Sequence, residues 1–304
     1  MRIEEFCLEA ADGWRLAATI YEPGMGNGIA LQINPATAVP RRYYDSFAQF
    51  MATRGFAVLT YDYRGIAGSR AGRQRDAGAR MRHWGALDQA AASRFLRRRF
   101  PNRALAIVGH SAGGQMLGLN PLAGEVAAGL LVGAQNGYWG NWPAPQRYRM
   151  AVLWYLMLPV TVRLFGHLPG RLLGGEALPR SVALDWAAWC RQPHYLSDES
   201  GRALRPFNDE LRCPLRIVDI SDDWMAPRKA VDALGDFYPR ARVERVSWRP
   251  EDFGQDRLGH FGWFRPSMPR DAWAEAAEWL ERAVGAQPRA AMPMRSAMSS
   301  AVAL

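Results

Sequence analysis

Short apolar runs alternate along the chain with segments whose apolar residues recur at helical spacing. This pattern predicts strands at residues 3–9, 14–21, 29–33, 57–60, 105–108, 128–133, 215–220 and 242–246, and helices at 43–53, 86–100 and 270–283. Asp12 and Gly13 between the first two strands favour a hairpin turn. Alternation of this kind is typical of a mostly parallel central sheet with helices on both faces, so we expect an α/β fold.

The alternation stops between residues 138 and 209, a stretch rich in Trp, Tyr, Leu and Pro. Because it lies between two predicted strands, we expect a helical cap inserted into one core domain formed by residues 1–137 and 210–287. The bland alternative is that its aromatic residues only fill the core of ordinary buried helices. Residues 288–304 show no periodicity and are predicted to be a disordered tail.

Composition argues for an intracellular protein with a full core. The chain has 304 residues, of which 49% are hydrophobic, and only three cysteines without a C-x-x-C pair. These features favour reduced thiols over disulfides or a zinc site. Acidic residues stand where a signal peptide would be apolar. The longest apolar stretch, 150–162, is too short to span a bilayer. We therefore expect a cytoplasmic protein without stable membrane insertion.

The formal net charge of +9 raises the question of nucleic acid. The basic residues are nearly all arginine and are scattered, and the one run, at 97–99, falls at the end of a predicted helix. No nucleic-acid-binding module accompanies them. We expect no nucleic-acid partner and a small-molecule substrate, with the oligomeric state undetermined. No metal cluster, phosphate loop or dinucleotide fingerprint is present either, so no cofactor is expected.

A G-x-S-x-G motif stands between a predicted strand and a helix-like run within residues 104–119. Such a turn lifts the serine hydroxyl clear of the sheet, while the flanking glycines let the neighbouring backbone pass closely. Ser111 is therefore the candidate nucleophile. The bland alternative is a helix start capped by the Ser111 hydroxyl.

A serine nucleophile needs a base, and the base needs an acid that orients it. His260 is the one histidine that follows the last predicted strand, which suits the chain order Ser, acid, His; otherwise it is an exposed loop histidine. The acid is expected just after the strand at 215–220. We prefer Asp223 for its spacing to Pro227, and interpret Asp222 as a solvated or turn residue.

These motifs together resemble the α/β-hydrolase superfamily, and in particular its bacterial serine-hydrolase branch near the serine aminopeptidases and monoacylglycerol lipases. The resemblance rests on the serine motif, on Tyr-Asp-Tyr-Arg-Gly at 61–65, on Asp223 before Ala-Pro, and on Gly-His at 259–260. It covers residues 14–138 and 210–284 and implies the α/β-hydrolase fold, with residues 138–209 as the variable cap.

The resemblance also implies an oxyanion hole made of two backbone N–H groups. Family members usually carry His-Gly after the third strand, but this chain has Asn34, Pro35, Ala36 and Thr37. Proline has no N–H. The donor is therefore expected to be Ala36, or failing that Thr37, paired with the N–H of Ala112.

The implied activity is cleavage of an ester, thioester or amide through an acyl-enzyme. Acyl transfer, haloperoxidase-like oxidation on the same triad, and a non-catalytic binding role on the same fold remain alternatives. The aromatic cap suggests an apolar substrate group. Candidate substrate contacts are Thr37, Trp139 and Trp142.

Overall fold

A single eight-stranded sheet runs through the described part of the molecule, which comprises residues 1–72, 76 and 78–286 of a computed structural model. The strands in chain order are β1 (Arg2–Glu9), β2 (Arg15–Glu22), β3 (Ile29–Asn34), β4 (Ala57–Tyr61), β5 (Ala104–His110), β6 (Val126–Val132), β7 (His167–Leu168), β8 (Leu178–Pro179), β9 (Pro214–Ile220) and β10 (Arg242–Trp248). The large sheet has the order β1-β2-β4-β3-β5-β6-β9-β10, and β7 and β8 pair separately.

In the large sheet, β2 runs antiparallel to both β1 and β4, and the remaining pairs, β4–β3, β3–β5, β5–β6, β6–β9 and β9–β10, are parallel. Strand β5 lies in the middle of the parallel part, between β3 and β6. Its register pairs Gly109 with Asn34 on one side and with Leu131 on the other. The segments that follow β3, β5, β6 and β9 therefore emerge at the same edge of the sheet, where open α/β sheets build their sites.

The helices are α1 (Asp45–Thr53), α2 (Ala90–Arg99), α3 (Ala112–Gln115), α4 (Gln146–Val152), α5 (Leu158–Phe165), α6 (Arg180–Arg191), α7 (Arg228–Gly235) and α8 (Arg270–Gly285). Helices α1 and α8 supply Phe47, Trp273 and Leu280 to the apolar cluster on one face of the sheet. Helices α2 and α7 supply Leu96 and Leu234 to the cluster on the other face. The predicted α/β architecture, with a mostly parallel sheet covered on both faces, is confirmed.

Two predicted helices have different bounds in the structure. The helix predicted at 86–100 begins earlier, because a helical turn at Met81–His83 and a π-helical stretch at Trp84–Gln89 run directly into α2. The Met81 N–H donates to the carboxylate of Asp185 at 3.0 Å, a start signal from a distant part of the chain. The helix expected after Ser111 is only four residues long and gives way to a 3-10 turn at Leu117–Leu119.

Residues 138–209 contain α4, α5, α6 and the short β7–β8 pair, and a π-helical stretch at Leu153–Met157 joins α4 to α5. Their assignment as a cap over the site remains a prediction. None of the helices in the described ranges is long and apolar enough to cross a membrane. The predicted tail, residues 288–304, lies outside the described residues.

The close approach of β3 to α3 generates a prediction about stability. A Cβ added at Gly113 would overlap the carbonyl oxygen of Asn34, which is backbone and cannot swing away. Gly113→Ala is therefore expected to lower the free energy of unfolding by about 1–3 kcal/mol, the usual cost of overpacking. Gly124→Ala is the matched control, because its Cβ would meet nothing nearer than 3.6 Å. Urea denaturation measures both, and equal stabilities of the two variants would contradict the argument.

Candidate active site

Ser111 occupies the strained turn between β5 and α3. Its backbone has φ 51° and ψ −120°, in the left-handed half of conformational space that a side chain disfavours. Such a conformation costs on the order of 1–3 kcal/mol and persists only where the surroundings enforce it. Its N–H donates to the Val132 carbonyl at 3.0 Å, which fastens the turn to the end of β6. The residue is only 7% exposed, so it is almost completely buried.

Asp223 and His260 are in direct contact. His260 Nδ1 lies 2.6 Å from Asp223 Oδ2, and both side chains are buried. The other carboxylate oxygen, Oδ1, accepts the N–H groups of Met225 at 2.8 Å and Ala226 at 3.2 Å. Because a carboxylate only accepts hydrogen bonds, Nδ1 must carry the proton, and Nε2 of the neutral ring is left as the acceptor. The loop after β9 thus fixes both the orientation and the tautomer of His260.

Asp222 has a structural role that the sequence did not predict. It is half-buried, and its two oxygens accept the backbone N–H groups of Leu258 at 3.0 Å and Gly259 at 2.8 Å. These two residues immediately precede His260. Asp222 lies in a turn, which agrees with its interpretation as a solvated or turn residue, and it also anchors the histidine loop while Asp223 holds the ring. The sequence around Asp222 and Asp223 gave no signal of these separate roles, because the backbone that Asp222 binds begins 36 positions further along the chain.

Ser111 and His260 approach the same position at the end of β6. The His260 ring lies against Gly133, because a Cβ built on Gly133 would be 3.3 Å from both Cε1 and Nδ1 of His260. The Ser111 N–H donates its hydrogen bond to the carbonyl of Val132, the residue just before Gly133. Among the described residues no hydrogen bond joins the Ser111 hydroxyl to His260. Catalytic hydrogen bonds are often long without a bound substrate. The structure therefore brings Asp223 and His260 together and places both His260 and Ser111 next to the end of β6.

His110, next to the candidate nucleophile, belongs to a buried chain of hydrogen bonds. The Ala36 N–H donates to the Tyr44 hydroxyl at 2.9 Å, and that hydroxyl lies 2.8 Å from His110 Nδ1. His110 Nε2 is 2.9 Å from the His260 carbonyl oxygen, so Nε2 carries the proton. Burial, and next the nearby His260, hold the pKa of His110 well below its ordinary value. The neutral ring ties the His260 backbone, through Tyr44, to the turn just before α1 and to the segment after β3.

These hydrogen bonds change which backbone N–H groups are expected to form the oxyanion hole. The Ala36 N–H already has the Tyr44 hydroxyl as its acceptor, so it is not free for an oxyanion, and the expectation passes to Thr37. Thr37 is half-buried, and within the described residues its N–H makes no hydrogen bond. Ala112 is the first residue of α3, where an N–H has no intrahelical acceptor. Asn34 Nδ2 donates to the Gly113 carbonyl at 3.2 Å, which ties the end of β3 to α3.

The two candidate substrate-contacting tryptophans differ in their surroundings. Trp142 is 4% exposed, and its indole N–H donates to the Trp224 carbonyl at 3.0 Å. That bond ties residues 138–209 to the loop that carries Asp223. Trp139 is half-buried and packs against the main apolar cluster. Contact of either ring with a substrate remains a prediction, and Trp142 has a structural task in any case.

Comparison with known proteins agrees with the fold. A family model described as "Serine aminopeptidase, S33" matches residues 41–138, and no curated protein matches the sequence. A solved esterase from Pyrococcus furiosus is similar over 93% of this chain and 92% of its own, at 14% identity and a TM-score of 0.57. An esterase from Exiguobacterium antarcticum aligns over 93% of this chain and 100% of its own, at 15% identity and a TM-score of 0.56.

The chain has the α/β-hydrolase fold. An esterase domain of a Rhodothermus marinus protein is also similar, at 21% identity and a TM-score of 0.51, over 93% of this chain and 100% of that one. At these identities the likeness to solved structures concerns the fold. Within the described residues, no group of three or more His, Cys, Asp or Glu side chains is placed to hold a metal ion.

The separate roles of Asp222 and Asp223 can be tested by substitution. Asp223→Asn removes the acceptor that holds the His260 tautomer, and the equivalent change in a well-studied serine protease lowers kcat by about 10⁴. Asp222→Asn keeps one oxygen acceptor for the loop and is expected to cause a clearly smaller fall. Steady-state kinetics on an activated ester compares the two variants. A larger loss in Asp222→Asn would reassign the acid.

The buried neutral His110 generates a prediction about pH. Its pKa is lowered in the folded protein, whereas the unfolded chain takes up a proton below about pH 6.5. The unfolded state then binds more protons, so stability is present above that pH and is lost as the pH falls below it. Denaturation between about pH 7 and about pH 5 should show a smaller loss of stability in His110→Gln than in the wild type. Equal losses would contradict this role for His110.

Proposed function

We propose that this α/β-hydrolase is a serine hydrolase that cleaves carboxylic esters through an acyl-enzyme on Ser111. The observation that carries the proposal is the combination of a strained serine at the strand-to-helix turn with a buried Asp223–His260 pair beside it. A strained serine alone could be structural, and so could a buried Asp–His pair. Their meeting at the carboxyl edge of the sheet supports nucleophilic catalysis.

In the proposed reaction the Ser111 hydroxyl attacks the substrate carbonyl carbon while His260 Nε2 takes its proton. Asp223 keeps the Nδ1–H in place and stabilises the imidazolium that forms. The protonated His260 then gives its proton to the departing alkoxide, and the acyl group stays on Ser111. A water molecule, activated by the same His260, releases the acid and restores the serine.

The negative charge on the tetrahedral intermediate requires donors that are free before the reaction starts. We assign these to the N–H groups of Ala112 and Thr37. Removing one such donor from an enzyme costs about 3–4 kcal/mol of transition-state stabilisation. Tyr44 supports this assignment, because its hydroxyl already accepts the N–H of Ala36.

Two kinds of observation bear on whether the cleaved bond is an ester or an amide. Several similar structures are described as esterases, whereas the matching family model is described as a serine aminopeptidase. The triad chemistry itself serves both. We favour an ester with an apolar acyl group, because residues 138–209 are rich in aromatic side chains. A pocket lined by such side chains would offer few hydrogen-bonding partners to a charged substrate group that has lost its water.

The nucleophile is tested by removing its hydroxyl. Ser111→Ala should lower kcat on p-nitrophenyl esters by several orders of magnitude, about 10⁶ in a well-studied serine protease. Ser221→Ala, a change at an exposed serine in the loop before the acid, is the matched control and should retain activity. Aminoacyl p-nitroanilides assayed alongside separate ester from amide cleavage. Near-native turnover by a folded Ser111→Ala protein would exclude the mechanism.

The preference for apolar acyl groups is tested separately with p-nitrophenyl esters of increasing chain length. Each methylene that enters an apolar pocket contributes up to about 0.8 kcal/mol, so kcat/KM should rise up to about fourfold per carbon until the pocket is full. A flat profile, or a preference for the shortest and most polar acyl group, would mean that the aromatic residues serve packing alone.

A further inference from the structure

The helical run from α4 through α5, residues 146–165, is apolar on two opposite faces. The face that packs on the protein carries Met150, Trp154, Leu158 and Val162, all buried. The opposite face repeats the same four-residue spacing with large apolar side chains that are 45% to 74% exposed: Tyr148, Val152, Leu156, Val160 and Leu164. A helix that is apolar all round is normally buried. Here one of its faces lies open.

The exposed side chains form one concentrated surface. Of thirteen large apolar residues that are exposed in the described chain, nine fall between residues 148 and 172. We call these nine the apolar face: Tyr148, Val152, Tyr155, Leu156, Met157, Val160, Leu164, Phe165 and Leu172. Apolar surface gathered in this way marks a site of interaction, whereas single exposed hydrophobic residues are ordinary.

The charged residues in the chain segment that carries the apolar face have one sign, although Asp76 from another segment lines the same surface pocket as Phe165. No Asp or Glu occurs from residue 126 to residue 175, while Arg147, Arg149, Arg163 and Arg171 lie in the same stretch. In the part of the chain that the structure describes, none of these four arginines forms an ion pair. Arg149, Arg163 and Arg171 are exposed, and the guanidinium of Arg171 lies 5.9 Å from the Phe165 ring.

This charge pattern decides between two kinds of partner. In a symmetric dimer the same patch lies on both subunits, so arginines would face arginines without a carboxylate to pair them. An anionic bilayer offers acyl chains to the apolar residues and lipid phosphates to the guanidinium groups. Arginine stems extend along apolar surface while their charged ends stay at the headgroups.

We propose that the apolar face docks this protein on the surface of an anionic lipid bilayer. The helical run lies in the plane of the interface, with its open face among the upper acyl segments and its arginines at the phosphates. It does not cross the bilayer, in keeping with the absence of a membrane-spanning helix from the described residues. The proposal concerns where the protein binds, and it stands apart from the reaction proposed for Ser111.

The experiment is co-sedimentation with vesicles, using Ser111→Ala so that no lipid is hydrolysed. The protein should bind vesicles of phosphatidylcholine with phosphatidylserine and should bind phosphatidylcholine alone more weakly. Added salt should weaken binding to the anionic vesicles, because it screens the arginines. Failure to bind the anionic vesicles would overturn the proposal whatever the outcome of the esterase assays.

Two pairs of substitutions test the apolar and the charged contributions. Leu156→Gln with Leu164→Gln should lower the partition coefficient by about tenfold or more per leucine, because each substitution removes a large apolar side chain from the acyl region. Arg149→Gln with Arg163→Gln should lower it by about fivefold per arginine on anionic vesicles only. All four residues are exposed, and circular dichroism checks that each variant is folded.

Matched controls lie elsewhere on the surface. Met25→Gln removes an apolar side chain that is 87% exposed, and Arg98→Gln with Arg240→Gln changes the net charge by the same amount at exposed positions. Controls that lose as much binding as the face variants would show that general hydrophobicity or charge is responsible. Light scattering that finds a dimer in solution, dissociated by Leu156→Gln with Leu164→Gln, would assign the face to a second copy and overturn the proposal.

Discussion

The arrangement of the candidate site depends on how closely the backbone can pass around the turn after β5. A Cβ on Gly109 would lie 2.6 Å from the Cα of Gly114, and one on Gly113 would overlap the Asn34 carbonyl. With hydrogen atoms at these positions, α3 packs directly on the end of the sheet, and Ser111 is forced into a conformation that a side chain disfavours. The strain at one residue is therefore maintained by contacts at three others.

The second requirement of the site is a histidine held from several directions at once. Asp223 holds the His260 ring, Asp222 holds the backbone just before it, and His110 holds its carbonyl oxygen. These groups come from the loop after β9 and from the end of β5, so the His260 loop is fastened to two strands that lie on either side of β6. Buried polar networks of this kind are rigid when every member is satisfied. Such rigidity fits a general base that must keep one tautomer and one direction.

Local signals in the sequence were sufficient for the fold and for the candidate residues of the site. Alternating apolar segments predicted the sheet, and a five-residue motif predicted the turn at Ser111. Contacts between distant segments left no such signal. The Tyr44 hydroxyl accepts the N–H of Ala36, which lies 8 residues before it in the chain. The Asp185 carboxylate accepts the N–H of Met81 at the start of a helix 104 residues before it. Nothing in the composition of those segments fixes such pairings, because they arise only when the elements pack.

The central claim is that Ser111 is an activated nucleophile, and covalent labelling tests it most directly. The intact protein would be treated with a fluorophosphonate, and the modified peptide would be located by mass spectrometry. The account predicts a single adduct on Ser111, formed much more slowly in His260→Ala, because the hydroxyl then has no base. An adduct on another serine, no adduct on the folded protein, or an equal rate in His260→Ala would contradict it.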